Sequence, residues 1–151
     1  MHTIAIRRLT DADASVARQL FALMANVFGE ETRPLGDAYV HRLLTRNEFW
    51  AVGAFIDGDV VGGLTAHALP MTTGESFEMF IYDIAVRADT QRQGIGRSLI
   101  TALREMAAAE GIDVVFVPAD DDDADALEFY RALDASASPV TLFVFSRTDG
   151  G

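Results

Sequence analysis

The chain has 151 residues, half of them hydrophobic and 23% charged, which fits one globular domain of residues 1–151 rather than a disordered chain. Its formal charge of −11, with Arg as the only basic type besides His, excludes a nucleic-acid partner and favours a cationic one, or serves solubility alone. The lack of cysteine excludes disulfides, thiolate metal sites and a cysteine nucleophile, and suits a reducing compartment. The start, "MHTIAIRRLTDAD", lacks a signal-peptide layout, and no apolar run approaches the roughly 20 residues that span a bilayer. A cytoplasmic protein with no membrane partner is expected.

Thr3 to Leu9 alternates as a strand, and Thr10 or Asp11 is placed to cap the helix that follows. Val16, Leu20, Leu23, Met24 and Val27 recur at helical spacing, and "GEETRPLG" breaks that helix. A second helix is predicted from Asp37 to Asn47. "FWAVGAFI" and "VVGGLTAHAL" flank Asp57-Gly58-Asp59, an Asp-Gly hairpin signal. Phe49 and Trp50 open the first of these strands as core residues. Further strands are predicted over 76–86, 113–118 and 140–146, and helices over 94–110 and 125–133. The strand–helix–strand unit at 78–118 implies a parallel pair, and the hairpins imply antiparallel ones. The expected fold is α/β (α+β), a mixed, mostly antiparallel sheet with helices on both faces.

"QRQGIG" places Gly94 and Gly96 where the helix of residues 94–110 begins. A helix N-terminus presents unpaired amides and partial positive charge, and glycine lets a ligand come close. The stretch is therefore either a phosphate cradle, helped by Arg92 and Arg97, or a tightly packed loop–helix junction. It is neither a P-loop nor the three-glycine dinucleotide fingerprint.

With the strand before it, "YDIAVRADTQRQGIGRSLI" resembles the signature of the GCN5-related N-acetyltransferases, and Gln91, Gly94 and Gly96 hold its motif positions. The resemblance implies that fold and acetyl-CoA as cosubstrate. It implies that the amides from Arg92 through Gln93, Gly94, Ile95 and Gly96 to Arg97 hold the CoA pyrophosphate. It further implies that backbone groups of Ile84, Ala85 and Val86 pair with the pantetheine arm like an added strand.

Acetyl transfer to an amine needs a neutral nucleophile, a stabilised oxyanion and a protonated leaving thiolate. Asp83 lies inside a strand among apolar neighbours of the same parity, where burial raises a carboxyl pKa towards the range useful for a base. The alternative is a carboxylate tied to an Arg or sitting at a β-bulge. Glu78 is either a substrate-binding residue or a solvated one. On a regular strand it faces away from Asp83. Tyr130 in "ALEFYRALD" matches the family's second motif, which implies a general acid at the CoA sulfur; a core aromatic is the other reading. A strand amide, such as that of Ile84, is the expected oxyanion donor.

"PADDDDADALEF" holds six acids. A helix start accounts for Asp123 and Asp125, but not for four consecutive aspartates. A polycation would turn their repulsion into binding. The loop lacks the EF-hand spacing and its final Glu, and no metal is expected. Together, "EMFIYDIAVRADTQRQGI" and "VPADDDDADALEFYRALD" resemble the type I aminoglycoside 3-N-acetyltransferases. Pro118 and Asp125 depart from that subgroup's pattern. This resemblance implies direct attack by the 3-amino group of an aminoglycoside in a ternary complex, with resistance as the outcome. It places Asp120, Asp121 and Asp123 near the drug and matches Tyr82-Asp83 to its Tyr-Asp pair; Tyr82, Asp83 and Glu78 are further candidates for binding the substrate. The loop Met71 to Glu75 is a candidate wall of the cleft, and His67 reads first as an ordinary strand residue and otherwise as a further wall residue. Other readings are an acetyltransferase for a polyamine, a peptide N-terminus or a lysine, and a non-catalytic acetyl-CoA sensor. A homodimer is expected, with apolar "VTLFVFS" offered to a partner.

Overall fold

A computed structural model describes residues 3–147. They fall into two compact units divided after Pro118.

The first unit carries one sheet of five strands in sequential order. These are β1 (Ile4–Arg8), β2 (Phe49–Ile56), β3 (Asp59–Pro70), β4 (Phe77–Val86) and β5 (Val115–Phe116). The first three pairings are antiparallel and β4–β5 is parallel, so the sheet is mixed as expected. The β2–β3 turn places Asp57 at φ 51° and Gly58 at φ 84°, a two-residue turn that only such residues adopt at low cost.

Three helices cover the sheet: α1 (Ala14–Val27), α2 (Asp37–Thr45) and α3 (Ile95–Ala109). Thr10 and Asp13 form a reciprocal capping box ahead of α1, with the Asp13 carboxylate accepting from the Thr10 amide at 2.8 Å. Leu20 and Met24 of α1, with Val40 and Leu44 of α2, are buried against one sheet face. Each such side chain contributes roughly 1.5–3 kcal/mol by leaving water. The two sides can be told apart at neighbouring glycines of β3. A Cβ on Gly63 would strike Leu20 of α1, whereas one on Gly62 would approach Ile95 of α3. Helices therefore occupy both faces. Trp50 is fully buried and its indole N–H donates to the Asn47 carbonyl at 3.1 Å; Phe49 is buried as well.

The second unit holds α4 (Ala124–Ala132). The expected strand over 140–146 is not formed, and residues 134–147 carry no regular structure. β-branched and aromatic residues favour a strand, but a strand exists only once its amides and carbonyls find a partner. β5 is likewise shorter than the predicted 113–118.

Candidate active site

The cradle is built from main chain. Arg92 at φ 67° and Gly94 at φ 81° turn the loop ahead of α3, and Gly94 is its N-cap. Residues with a Cβ rarely adopt such angles, which explains a glycine at 94. The first bond along the helix here runs from the Ser98 amide to the Gly94 carbonyl at 3.0 Å. The amides of Ile95, Gly96 and Arg97 thus have no acceptor within the helix, and no side chain caps it. Arg92 and Arg97 are exposed beside them. Gln91 ties the loop back to the sheet, its side-chain amide donating to the Val86 carbonyl at 3.1 Å. These features fit an anionic diphosphate.

Next to the cradle, β4 has an open edge. β5 pairs with it only at Met79 and Phe80, while β4 continues to Val86. Pro118 follows shortly after β5 and has no amide to extend the pairing. The edge at Ile84, Ala85 and Val86 therefore has no strand beside it on that side among the described residues, which fits an extended arm pairing there.

The bulge in β4 decides which of its side chains share a face. Thr65 lies opposite Asp83, but Ala66 lies opposite Ile81, so Tyr82 is an extra residue. Leu69 lies opposite Glu78. Thr65 and Leu69 share a face of β3, hence Asp83 and Glu78 share a face of β4. The regular-strand expectation that they point apart is overturned by that one inserted residue. Tyr82, 63% exposed, bulges outward with its ring edge-on to His67 and to Phe80, centroids 6.0 and 5.9 Å away.

Asp83 is half-buried, and burial pushes its carboxyl above the usual range, with the charge of Glu30 adding to the effect. No Arg pairs with it among the described residues. Glu30 was missed by sequence reasoning, which took "GEETRPLG" only as a helix breaker. It lies in the loop after α1, where Phe21, Ala25, Glu30, Glu31 and Arg33 line a cleft of about 630 Å³. The signal was two consecutive acids in a loop, and nothing local told what they approach. Burial, then the charge of Arg46, lowers the His67 pKa, so its ring is neutral at pH 7. Met71 to Glu75 is an exposed loop between β3 and β4.

In the second unit Asp120, Asp121 and Asp122 are exposed. Asp123 is the N-cap of α4, its carboxylate accepting from the Ala126 amide at 3.1 Å. Tyr130 is half-buried, with its ring against Phe129. Burial, then the Asp123 charge, raises its pKa, so the phenol stays protonated. Among the described residues no cluster of three or more His, Cys, Asp or Glu is arranged to hold a metal, and no helix is long and apolar enough to cross a membrane.

A helix start free to grip a diphosphate lies beside a strand edge free to pair with an extended arm, an arrangement that fits a coenzyme A-dependent transferase. The acetyltransferase (GNAT) family model matches residues 17–134, and the chain belongs to that family. It is an acetyltransferase of GNAT type, and the family uses acetyl-CoA. No curated protein matches it. Among solved structures it is similar to meta-AAC0020, an aminoglycoside acetyltransferase from an uncultured soil metagenomic sample crystallised with sisomicin. The two share 33% identity over 96% of this chain and 97% of that one, with a TM-score of 0.92. It is also similar to the aminoglycoside acetyltransferase HMB0005, again from an uncultured soil sample, at 31% identity over 97% and 99% of the chains, TM-score 0.90. A ribosomal-protein-alanine N-acetyltransferase from Brucella melitensis matches at 25% identity over 96% and 100%, TM-score 0.79.

Proposed function

We propose that the protein moves the acetyl group of acetyl-CoA to the 3-amino group of an aminoglycoside, by direct attack in a ternary complex. The observation that carries this reading is the carboxylate group on one side of β4. Asp83 and Glu78 share a face, and Glu30 bears on Asp83 electrostatically. Three acids so placed suit a rigid substrate bearing several ammonium groups. The likeness to two aminoglycoside acetyltransferases along nearly the whole chain supports it.

Asp83 first pairs with the attacking ammonium and then accepts its proton. The amine nitrogen attacks the thioester carbonyl, and the amide of Ile84 receives the developing oxyanion. The tetrahedral intermediate collapses with loss of the CoA thiolate, which takes a proton from Tyr130, and the second proton released by the nitrogen restores the Tyr130 phenol through solvent. Holding both reactants together supplies much of the acceleration. Amides from Arg92 to Arg97 hold the pyrophosphate, and Ile84 to Val86 pair with pantetheine. Tyr82, Asp120, Asp121 and Asp123 receive further parts of the polycation. Both compact units form one catalytic domain in this reading, as the family match running through both supports. Cytoplasmic drug acetylation would confer resistance.

The test is a thiol-release assay with acetyl-CoA against sisomicin, gentamicin, spermine, short peptides and a neutral sugar, with product NMR to locate the new amide. Turnover with the two drugs and an acetyl group on N3 is expected. Turnover with peptides alone would reassign the enzyme to the second reading, a protein N-terminal acetyltransferase, which the Brucella likeness favours. Acetyl-CoA binding without turnover on any amine would make it a sensor.

A further inference from the structure

We propose that the Thr65 hydroxyl is the second ligand of the attacking amine, accepting one of its N–H groups while Asp83 takes another. This rests on Asp83 receiving that amine, as proposed above, and it holds for any primary amine.

Along β3, Gly63, Thr65, His67 and Leu69 share the face on which α1 packs over Gly63. Thr65 is 8% exposed, and Thr90 is the other buried polar residue among those described. Thr90 uses its hydroxyl, which donates to the Arg87 carbonyl at 2.9 Å. The Thr65 hydroxyl makes no hydrogen bond among the described residues. Its neighbour across the sheet on β2 is Ala51, which has no polar side chain, and its neighbour on β4 is Asp83. No fully buried side-chain oxygen or nitrogen lacks a partner among the described residues, so the unpaired Thr65 oxygen reaches open space on this face. A β-branched side chain suits a strand, but valine would meet that need without a hydroxyl. A nearly buried hydroxyl left unpaired costs free energy until a ligand completes it.

Asp83 is the matching case. Its carboxylate makes no hydrogen bond and no ion pair among the described residues, and it lies directly opposite Thr65. Side chains so opposed have Cβ atoms about 4.5–5.5 Å apart. A nitrogen bonded to two oxygens at about 2.9 Å each holds them roughly 4.7 Å apart. One ammonium therefore fits between two groups that do not bond each other. Their chemistry divides the work. The carboxylate can take a proton. The hydroxyl cannot, but it accepts an N–H from the ammonium and from the neutral amine alike. Thr65 thus keeps hold of the nitrogen after Asp83 has deprotonated it. Glu30 and Glu78 add negative charge near Asp83, and His67, two residues from Thr65 and neutral, brings no competing cation.

The test compares Thr65→Val, which keeps the shape and deletes the hydroxyl, with Thr65→Ser, which keeps the hydroxyl and deletes a methyl. Acceptor kinetics are read at saturating acetyl-CoA with sisomicin, spermine and a peptide with N-terminal alanine. For each amine that wild type acetylates, Thr65→Val should raise the Michaelis constant about ten- to a hundredfold, as loss of a hydrogen bond to a charged group does. Its kcat should stay within about threefold of wild type, since the bond is made before and during attack. Thr65→Ser should behave as wild type, and neither variant should change acetyl-CoA affinity by calorimetry. A packing role predicts the reverse order, with valine silent and serine harmful, and that order would overturn the proposal. So would a Michaelis constant unchanged in both variants. If wild type accepts the peptide alone, the aminoglycoside reading fails, and the same rise measured on the peptide supports this one. A wild type that acetylates none of the three would overturn both.

Discussion

Asp83 and Glu78 stand on one face of β4 because Tyr82 is the inserted residue between them. The same insertion turns Tyr82 outward, against His67. A regular strand would have sent one carboxylate to the α3 side of the sheet and left Asp83 without a companion on its own strand. The site thus depends on a local fault in the ladder, of the kind that re-aims side chains next to active sites.

Replacing Asp83 by Asn removes the proposed base and keeps the shape. Turnover should fall about 10²- to 10⁴-fold, with acetyl-CoA affinity unchanged. The folded carboxyl holds its proton more tightly than the unfolded one, so its ionisation opposes folding. That penalty is present above the raised folded pKa and absent below the unfolded one. Asp83→Asn should therefore melt at a higher temperature than wild type at pH 7, with the gain vanishing in acid. Melting curves at several pH values check the sign, and equal turnover in the two proteins would strip Asp83 of its role.

Glu30 acts on Asp83 through charge. Its negative field helps hold the Asp83 proton, so Glu30→Gln should move the acid limb of kcat/KM to lower pH. The Michaelis constant for a polycationic acceptor should rise in the same variant, and its dependence on salt should weaken. A pH–rate profile that overlays wild type would show that Glu30 is too remote or too well solvated to matter.

Tyr130→Phe keeps the ring and deletes the proton. Transfer should slow about tenfold or more if the leaving thiolate takes its proton from the phenol. Because burial raises the Tyr130 pKa, wild type should show no alkaline loss from this group below about pH 10. Full activity in the variant would leave Tyr130 as packing against Phe129.

Gly94→Ala tests the cradle. Nothing lies within 4 Å of the added carbon, so the effect is conformational: φ 81° costs an alanine about 1 kcal/mol. The dissociation constant for CoA, read by calorimetry, should rise at least fivefold while the melting temperature drops by only a few degrees. Unaltered CoA binding would argue against main-chain amides as the grip.

The glycine cradle was legible from residues alone because it is local. Gln91, Gly94 and Gly96 are contiguous with the helix that they begin, and the ligand contacts proposed there are main-chain amides that every sequence carries. The hairpin at Asp57-Gly58 and the capping box at Thr10 were readable for the same reason, since each is settled within four residues. The acceptor face was legible only in part. Asp83 announced itself as an acid among apolar neighbours, but the side to which Glu78 points depends on a register shift against β3. The nearness of Glu30 depends on how the loop after α1 folds back. Neither is written in any short window. The segment Val140–Phe145 marks the same boundary from the other direction. Its alternation fixes which side chains share a side, yet a strand needs hydrogen-bonding partners from elsewhere, and local preference cannot supply them.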